Sequence, residues 1–192
     1  MDEFVTEALV LDKESVRETD ARVFLYTKHI GGIAAKVTSA RKMTAKLNAH
    51  VEPMTLTIVR LVKKNNESQG YQLTDALTVD PLLLWKKDAA MFRRGLGILA
   101  LLRSEQFIES PDVELWELLT QIFCIAPDSN KNYHGMVLKA LGFDPLFAQC
   151  ASCGGRPEYF YGTDQSFYCL RCSEYSLIEG AMIPCNATGF TI

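Results

Sequence analysis

Arg22-Val23-Phe24-Leu25-Tyr26-Thr27 is followed, across a Gly31-Gly32 turn signal, by Ile33-Ala34-Ala35-Lys36-Val37-Thr38. Both runs are rich in β-branched and aromatic residues, which fit a pleated, half-buried surface. Paired glycines between them supply the backbone freedom a hairpin needs. Reading outward, Phe4 to Leu11 predicts an earlier strand. Met54 to Val62 predicts a fourth, with Met54, Leu56, Ile58 and Val62 on one side and Thr55, Thr57, Val59 and Leu61 on the other. Asn65-Asn66-Glu67-Ser68 reads as a turn and Gly70 to Thr74 as a fifth strand, while Lys42 to His50 reads as a short helix between strands three and four. Five short strands separated by turns suggest a small barrel or sandwich, and a five-stranded barrel of this size fits the oligonucleotide-binding (OB) fold.

From Pro81 the period changes. Leu82 to Arg103 carries apolar residues at helical spacing, Ser110-Pro111-Asp112 predicts a helix from about Pro111 to Ile125, and Asp128 to Leu141 predicts another that stops at Gly142. The expected class is α+β, with an OB-fold domain over residues 1–80 and a helical domain over 81–192.

The formal net charge of −3 over 192 residues conceals a segregation. Residues 1–20 carry −5 and residues 65–80 carry −3, whereas residues 21–64 carry +8 from nine bases and one acid. A basic block inside a mildly acidic chain is how an electrostatic footprint for phosphates looks; lysines that keep a sheet soluble look the same on charge alone. At 48% hydrophobic and 22% charged residues, the chain is neither disordered nor collagenous. No run reaches the ~18 apolar residues of a membrane helix, and the acidic start Met1-Asp2-Glu3 is unlike a signal peptide. The expected location is cytoplasmic.

Four of the six cysteines form Cys150-x2-Cys153-x15-Cys169-x2-Cys172, the two-knuckle spacing of a four-thiolate zinc site. Each knuckle turns two thiolates toward one point, and two knuckles complete a tetrahedron. Tyr159, Phe160, Tyr161, Phe167 and Tyr168 between them predict a small hairpin whose rings cover the site. One structural zinc per chain is the expectation; a saturated four-thiolate site has no open position for catalysis. Paired disulfides and a redox-active Cys-x2-Cys are the alternatives. Cys124, in a helical apolar run, is expected in the core. Cys185 has no assigned role and reads as a free thiol. His29, His50 and His134 are scattered, and neither a phosphate-binding loop nor a nucleophile elbow is present, so no residue is read as catalytic. Gly95-x-Gly97 reads as helix packing, and Trp85 and Trp116 as core or domain-interface residues on helices.

The front half resembles the bacterial DNA repair protein RecO family. Glu7-Ala8-Leu9-Val10-Leu11 is similar to that family's first strand, and Glu18-Thr19-Asp20-Ala21-Arg22 through Thr27 to its second. Lys36-Val37-Thr38-Ser39-Ala40-Arg41-Lys42 resembles the basic end of the next strand, with Thr38-Ser39 where the family usually has glycine. Asn48 to Pro53 resembles the lead-in to strand four. The resemblance implies an N-terminal OB-fold, a helical rear and an embedded zinc finger over 150–172. It implies a recombination mediator that binds single- and double-stranded DNA, anneals strands and, with RecR, helps load RecA onto strands coated by single-strand-binding protein. Twenty residues follow Cys172 where the family usually continues with further helices, which leaves open the docking of the single-strand-binding protein's tail.

The expected mechanism is binding without covalent chemistry. Arg22, Lys28, Lys36, Arg41, Lys42 and Lys46 are the candidate phosphate track, with Arg60, Lys63 and Lys64 as an extension. Phe24 and Tyr26 either stack bases or fill the barrel. A second basic cluster, Lys86, Lys87, Arg93, Arg94 and Arg103, serves DNA, a protein partner or solvent. Two rivals stand beside this: a protein-interaction scaffold whose basic barrel binds an acidic partner, and a thiol-redox enzyme.

Overall fold

In the computed structural model, which describes residues 2–16, 20–37, 47–63, 70–104, 109–174 and 182–185, the front of the chain forms five strands. They are β1 (Asp2–Ser15), β2 (Ala21–Thr27), β3 (Gly31–Val37), β4 (Leu56–Lys63) and β5 (Tyr71–Asp80). β1 pairs antiparallel with β2 and β4, β2 with β3, and β4 with β5. A short parallel ladder, Ala35 beside Tyr71 and Lys36 beside Gln72, joins β3 to β5. The order β1-β2-β3-β5-β4 therefore returns to its start, with the seam between β3 and β5 held by that short ladder. Val10, Val23, Leu25, Ile33, Val59, Leu61 and Leu73 fill the interior. Fully burying each such side chain contributes about 1.5–3 kcal/mol against the entropy of ordering the chain.

Two bulges, both with the extra residue on β5, account for where the expectation for the fifth strand misses. The register of β4 on β5 shifts between Leu56 and Thr57, where Val79 is the extra residue of β5; on β4 itself Thr57, Val59 and Leu61 are buried while Ile58 and Arg60 face out. Thr55, Thr57, Val59 and Leu61 thus share one buried side as strict alternation expects, and Leu56 is buried on the other side, which it shares with exposed Ile58. A second shift, between Arg60 and Leu61, sets Asp75 opposite Arg60 but Leu73 opposite Leu61, so Thr74 is the extra residue. Buried positions of β5 then run Leu73, Ala76, and the broken alternation hides the strand's continuation from Thr74 to Asp80. The expected helix over Lys42 to His50 falls largely outside the described residues.

The chain divides into two compact units, Met1–Leu83 with Gln106–Trp116, and Leu84–Glu105 with Glu117–Ile192. Within the first, Glu109 holds the end of the β4–β5 hairpin: Lys63 Nζ lies 2.6 Å and Tyr71 Oη 3.1 Å from its carboxylate. The Tyr26 ring stacks on Trp116, with centroids 6.4 Å apart.

The helices are α1 (Leu83–Lys86), α2 (Ala89–Ser104), α3 (Val113–Phe123) and α4 (Tyr133–Ala140). Side-chain caps set three of the starts. Asp88 Oδ1 accepts from the Met91 N–H at 2.9 Å, Asp112 Oδ1 from Leu115 at 2.9 Å, and Asn132 Oδ1 from Gly135 at 3.0 Å. The expected helix from Leu82 to Arg103 is therefore two. Likewise Asp112, not Ser110, caps α3, and the segment from Asp128 is a turn that gives way to helix only after Asn132.

In the second unit α2 crosses α4 where Gly97 meets His134. A Cβ at Gly97 would sit 2.6 Å from His134 Nε2. His134 is 4% exposed and has little room to withdraw. Burial first, and the Arg94 charge second, hold its imidazole down to a pKa of about 4, so it packs as a neutral ring. Gly97→Ala is expected to lower stability by about 1–3 kcal/mol, the usual cost of overpacking, measured as a shift in the denaturant midpoint at unchanged m-value.

Beyond α4 come β6 (Tyr159–Tyr161), β7 (Ser166–Tyr168), α5 (Leu170–Ser173) and β8 (Met182–Pro184). The three strands form one sheet in the order β7-β6-β8. The predicted β6–β7 hairpin is present, with Phe160 opposite Phe167. Phe160 is fully buried between Phe143 and Phe167, at centroid distances of 4.9 and 5.0 Å.

Candidate metal centre and nucleic-acid face

The first knuckle is a tight loop closed by its own backbone. The Gly154 N–H donates to the Cys150 carbonyl and the Cys150 N–H to the Gly155 carbonyl, both at 2.8 Å. Gly154 has a φ of +71°, which a side chain at that position would resist. The second knuckle begins at Cys169, at the end of β7, and runs into α5. The Ala151 N–H bonds the Phe167 carbonyl at 2.8 Å, which ties one knuckle to the strand that carries the other.

These ties bring Cys150, Cys153, Cys169 and Cys172 together, with their Sγ atoms all within 4.8 Å of one another. Cys153 Sγ and Cys169 Sγ stand 3.7 Å apart. In a zinc tetrahedron with Zn–S near 2.3 Å, sulfurs are separated by about 3.8 Å, so the thiol set has the dimensions of a four-thiolate site. Tyr161 and Tyr168 pack edge to face at 5.3 Å and, with Cys150, form the apolar cover expected from the sequence.

The four thiols hold their protons unequally. Burial raises the Cys150 thiol, but N–H groups of Cys169, Cys153 and Ser152, with the Cys153 side chain, outweigh it and bring its pKa down to about 6. The Cys169 side chain, then burial and the other thiols, push Cys172 up to about 12. One sulfur ionises at its neighbours' expense, so four thiolates coexist only around a positive ion. Cys185 is 1% exposed and burial alone pushes its thiol up to about 12; its carbonyl accepts from Asn132 Nδ2. It is a core residue, which the sequence did not suggest. Cys124, expected in the core, is exposed.

Of the six candidate phosphate ligands, three lie among the described residues. Arg22 on β2 sits directly across from Lys36 on β3, and both side chains are exposed. Lys36 pairs with Asp20 at 3.1 Å, and Lys28 with Glu7 at 2.7 Å. Exposed pairs of this kind contribute only ~0–1 kcal/mol, so a phosphate can displace the carboxylates at little cost. Arg41, Lys42 and Lys46 lie outside the described residues, as does Lys64. The suggested extension of the track is otherwise engaged: Arg60 bonds Glu3, and Lys63 bonds Glu109.

Phe24 and Tyr26 are each 8% exposed and lie on the face of β2 opposite the interior residues Val23 and Leu25; they are covered there, Tyr26 by Trp116, so they neither fill the interior nor offer open faces to bases. Burial, then the Asp112 charge, pushes the Tyr26 phenol up to about 12, in keeping with a packed ring. Trp85 and Trp116 are buried, as expected. His29 contacts the Thr6 hydroxyl and His50 that of Thr78. The partners Glu7 and Asp20 escaped the sequence reading, because only strand register brings them to Lys28 and Lys36.

Residues 1–82 match the family model described as recombination protein O N terminal. The chain is similar to the DNA repair protein RecO of Thermodesulfovibrio yellowstonii, 25% identical over 191 residues, 94% of this chain and 74% of that protein. It is similar to the same-named protein of Desulforudis audaxviator, 26% identical over 164 residues, 82% of this chain and 64% of that protein. The Clostridium novyi protein is 26% identical over 162 residues, 80% of this chain and 61% of that one. The chain thus spans between 61% and 74% of the length of these three relatives. No helix among the described residues is long and apolar enough to cross a membrane.

Proposed function

We propose that this chain is a recombination mediator of DNA repair whose closed five-stranded sheet is an OB-fold barrel that binds DNA without covalent chemistry. The observation that carries the reading is the match of residues 1–82 to the recombination protein O N-terminal model, because that segment holds the whole basic block. Arg22, Lys28, Lys36, Arg41, Lys42 and Lys46 form the phosphate track, on single and double strands. Annealing and loading of RecA with RecR onto strands coated by single-strand-binding protein follow from the family reading, in the cytoplasm beside the nucleoid. Cys150, Cys153, Cys169 and Cys172 hold one structural zinc; the convergence of all four sulfurs favours a metal over a redox dithiol.

The test is fluorescence anisotropy of a labelled 30-mer single strand across a salt series. Wild type is expected to bind with a steep logarithmic salt slope. An Arg22→Ala, Lys36→Ala, Arg41→Ala variant is expected to lose about 2 from that slope, near 0.7 for each phosphate contact on a single strand, and at least tenfold in low-salt affinity. Absence of low-salt binding by wild type, or an unchanged slope in the folded variant, defeats the DNA reading.

One observation favours a protein-interaction role as well. Val5 on β1, Ile58 on β4 and Leu77 and Val79 on β5 point outward on three neighbouring strands, and Ile58 is the direct register partner of Leu77. This apolar face is separate from the Arg22–Lys36 pair on β2 and β3.

A further inference from the structure

The four cysteines differ in their access to solvent. Cys150 is 3% exposed, Cys169 and Cys172 are intermediate, and Cys153 is exposed. Oxidation of sulfur by peroxides follows thiolate character and exposure together. In a zinc-bound set every sulfur is a thiolate, so exposure selects Cys153. Its partner at 3.7 Å is Cys169, on the other knuckle.

We infer that the metal centre is also a modification site for peroxides, at which Cys153 and Cys169 form a disulfide across the two knuckles and expel the zinc. The inference rests on the zinc reading above. Cys153 thiolate attacks one oxygen of hydrogen peroxide, the O–O bond breaks and hydroxide leaves, giving the sulfenic acid. Cys169 thiolate then attacks the Cys153 sulfur, the S–S bond forms and a second hydroxide leaves. Two thiolates have lost two electrons, and hydrogen peroxide, with protons from solvent, has become two waters. Cys150 and Cys172 remain as two ligands, too few to retain the ion against a chelator.

The pairing is what makes this inference specific. A redox Cys-x2-Cys pair closes within its own motif, Cys150 with Cys153 or Cys169 with Cys172. Here the buried Cys150 is shielded and anchored by backbone hydrogen bonds, and the exposed sulfur faces across to the other knuckle.

The experiment uses the full chain carrying Cys124→Ser, which removes the exposed thiol outside the cluster. Zinc is assayed first, then hydrogen peroxide is added in stepwise equivalents with a colorimetric chelator present, and the disulfide is mapped by mass spectrometry without reduction. Combined cleavage with chymotrypsin after Tyr161 and trypsin after Arg171 separates Cys169 from both Cys153 and Cys172, and fragmentation separates Cys150 from Cys153. The expected result is one zinc released per chain, with Cys153–Cys169 as the first linkage and recovery of the zinc site on reduction with added zinc. A first linkage within either knuckle overturns the inference, as does zinc retained through several equivalents of peroxide. Absence of zinc before oxidation defeats the zinc reading instead, and the same map on that metal-free chain still decides the pairing.

Discussion

Replacing Cys150 by serine is expected to abolish stoichiometric zinc binding and to melt the sheet formed by β6, β7 and β8. Four thiolates around zinc supply an apparent binding free energy of about 10–16 kcal/mol in small zinc modules at neutral pH. Whole domains are stable by only about 5–15 kcal/mol. The sheet has three strands of three residues each, and Phe160 is its one wholly buried large side chain, so metal binding carries much of its order. Cys150 is the informative position because it is the buried ligand, bonded through its backbone to Gly154 and Gly155. Zinc content by elemental analysis should fall from one per chain to near zero. Amide exchange at Phe160 and Phe167 should rise to the rate of an open segment, while amides of β2 in the first unit keep their protection. Full zinc content in the variant, or unchanged protection at Phe160, contradicts the structural role given to the metal.

The cysteine cluster was legible because ligand spacing encodes local geometry: two residues between thiols make a knuckle, whatever the rest of the chain does. The strand from Arg22 to Thr27 was legible from its β-branched and aromatic composition, since it is buried continuously from Val23 onward and burial there does not alternate. The fifth strand was cut short because bulges change its parity, at Thr74 and Val79, and a bulge is a property of the pair of strands that leaves no mark on one of them. Helix starts were misplaced for a related reason. Ser110-Pro111-Asp112 holds two capping side chains, and the backbone selects Asp112. The electrostatic face was half legible. The basic block stands out in composition, but its pairing with Asp20 and Glu7 depends on register, and Tyr26 is buried on the outer face of β2 because Trp116, ninety residues later, supplies a stacking surface.

Trp85→Ala is expected to destabilise the second unit by about 3–5 kcal/mol from the lost packing, and further from an orphaned acceptor. The indole is fully buried, with ring centroids 5.1 Å from both Phe123 and Tyr133. Its N–H donates to the Ile122 carbonyl at 3.2 Å. Ile122 lies in the last turn of α3, where carbonyls have no partner within the helix, so the indole both fills the core and caps the helix end. Trp85→Phe separates these two roles: it keeps most of the ring volume and removes only the donor, and the expected loss is about 1–3 kcal/mol. The chain has two tryptophans, and the other, Trp116, belongs to the first unit. In both variants the remaining fluorescence therefore reports the first unit alone, while far-ultraviolet circular dichroism reports the helices. The expected outcome for Trp85→Ala is helix loss at a much lower denaturant concentration than the Trp116 transition. Coincident transitions at the wild-type midpoint would remove Trp85 from the centre of the second unit's core.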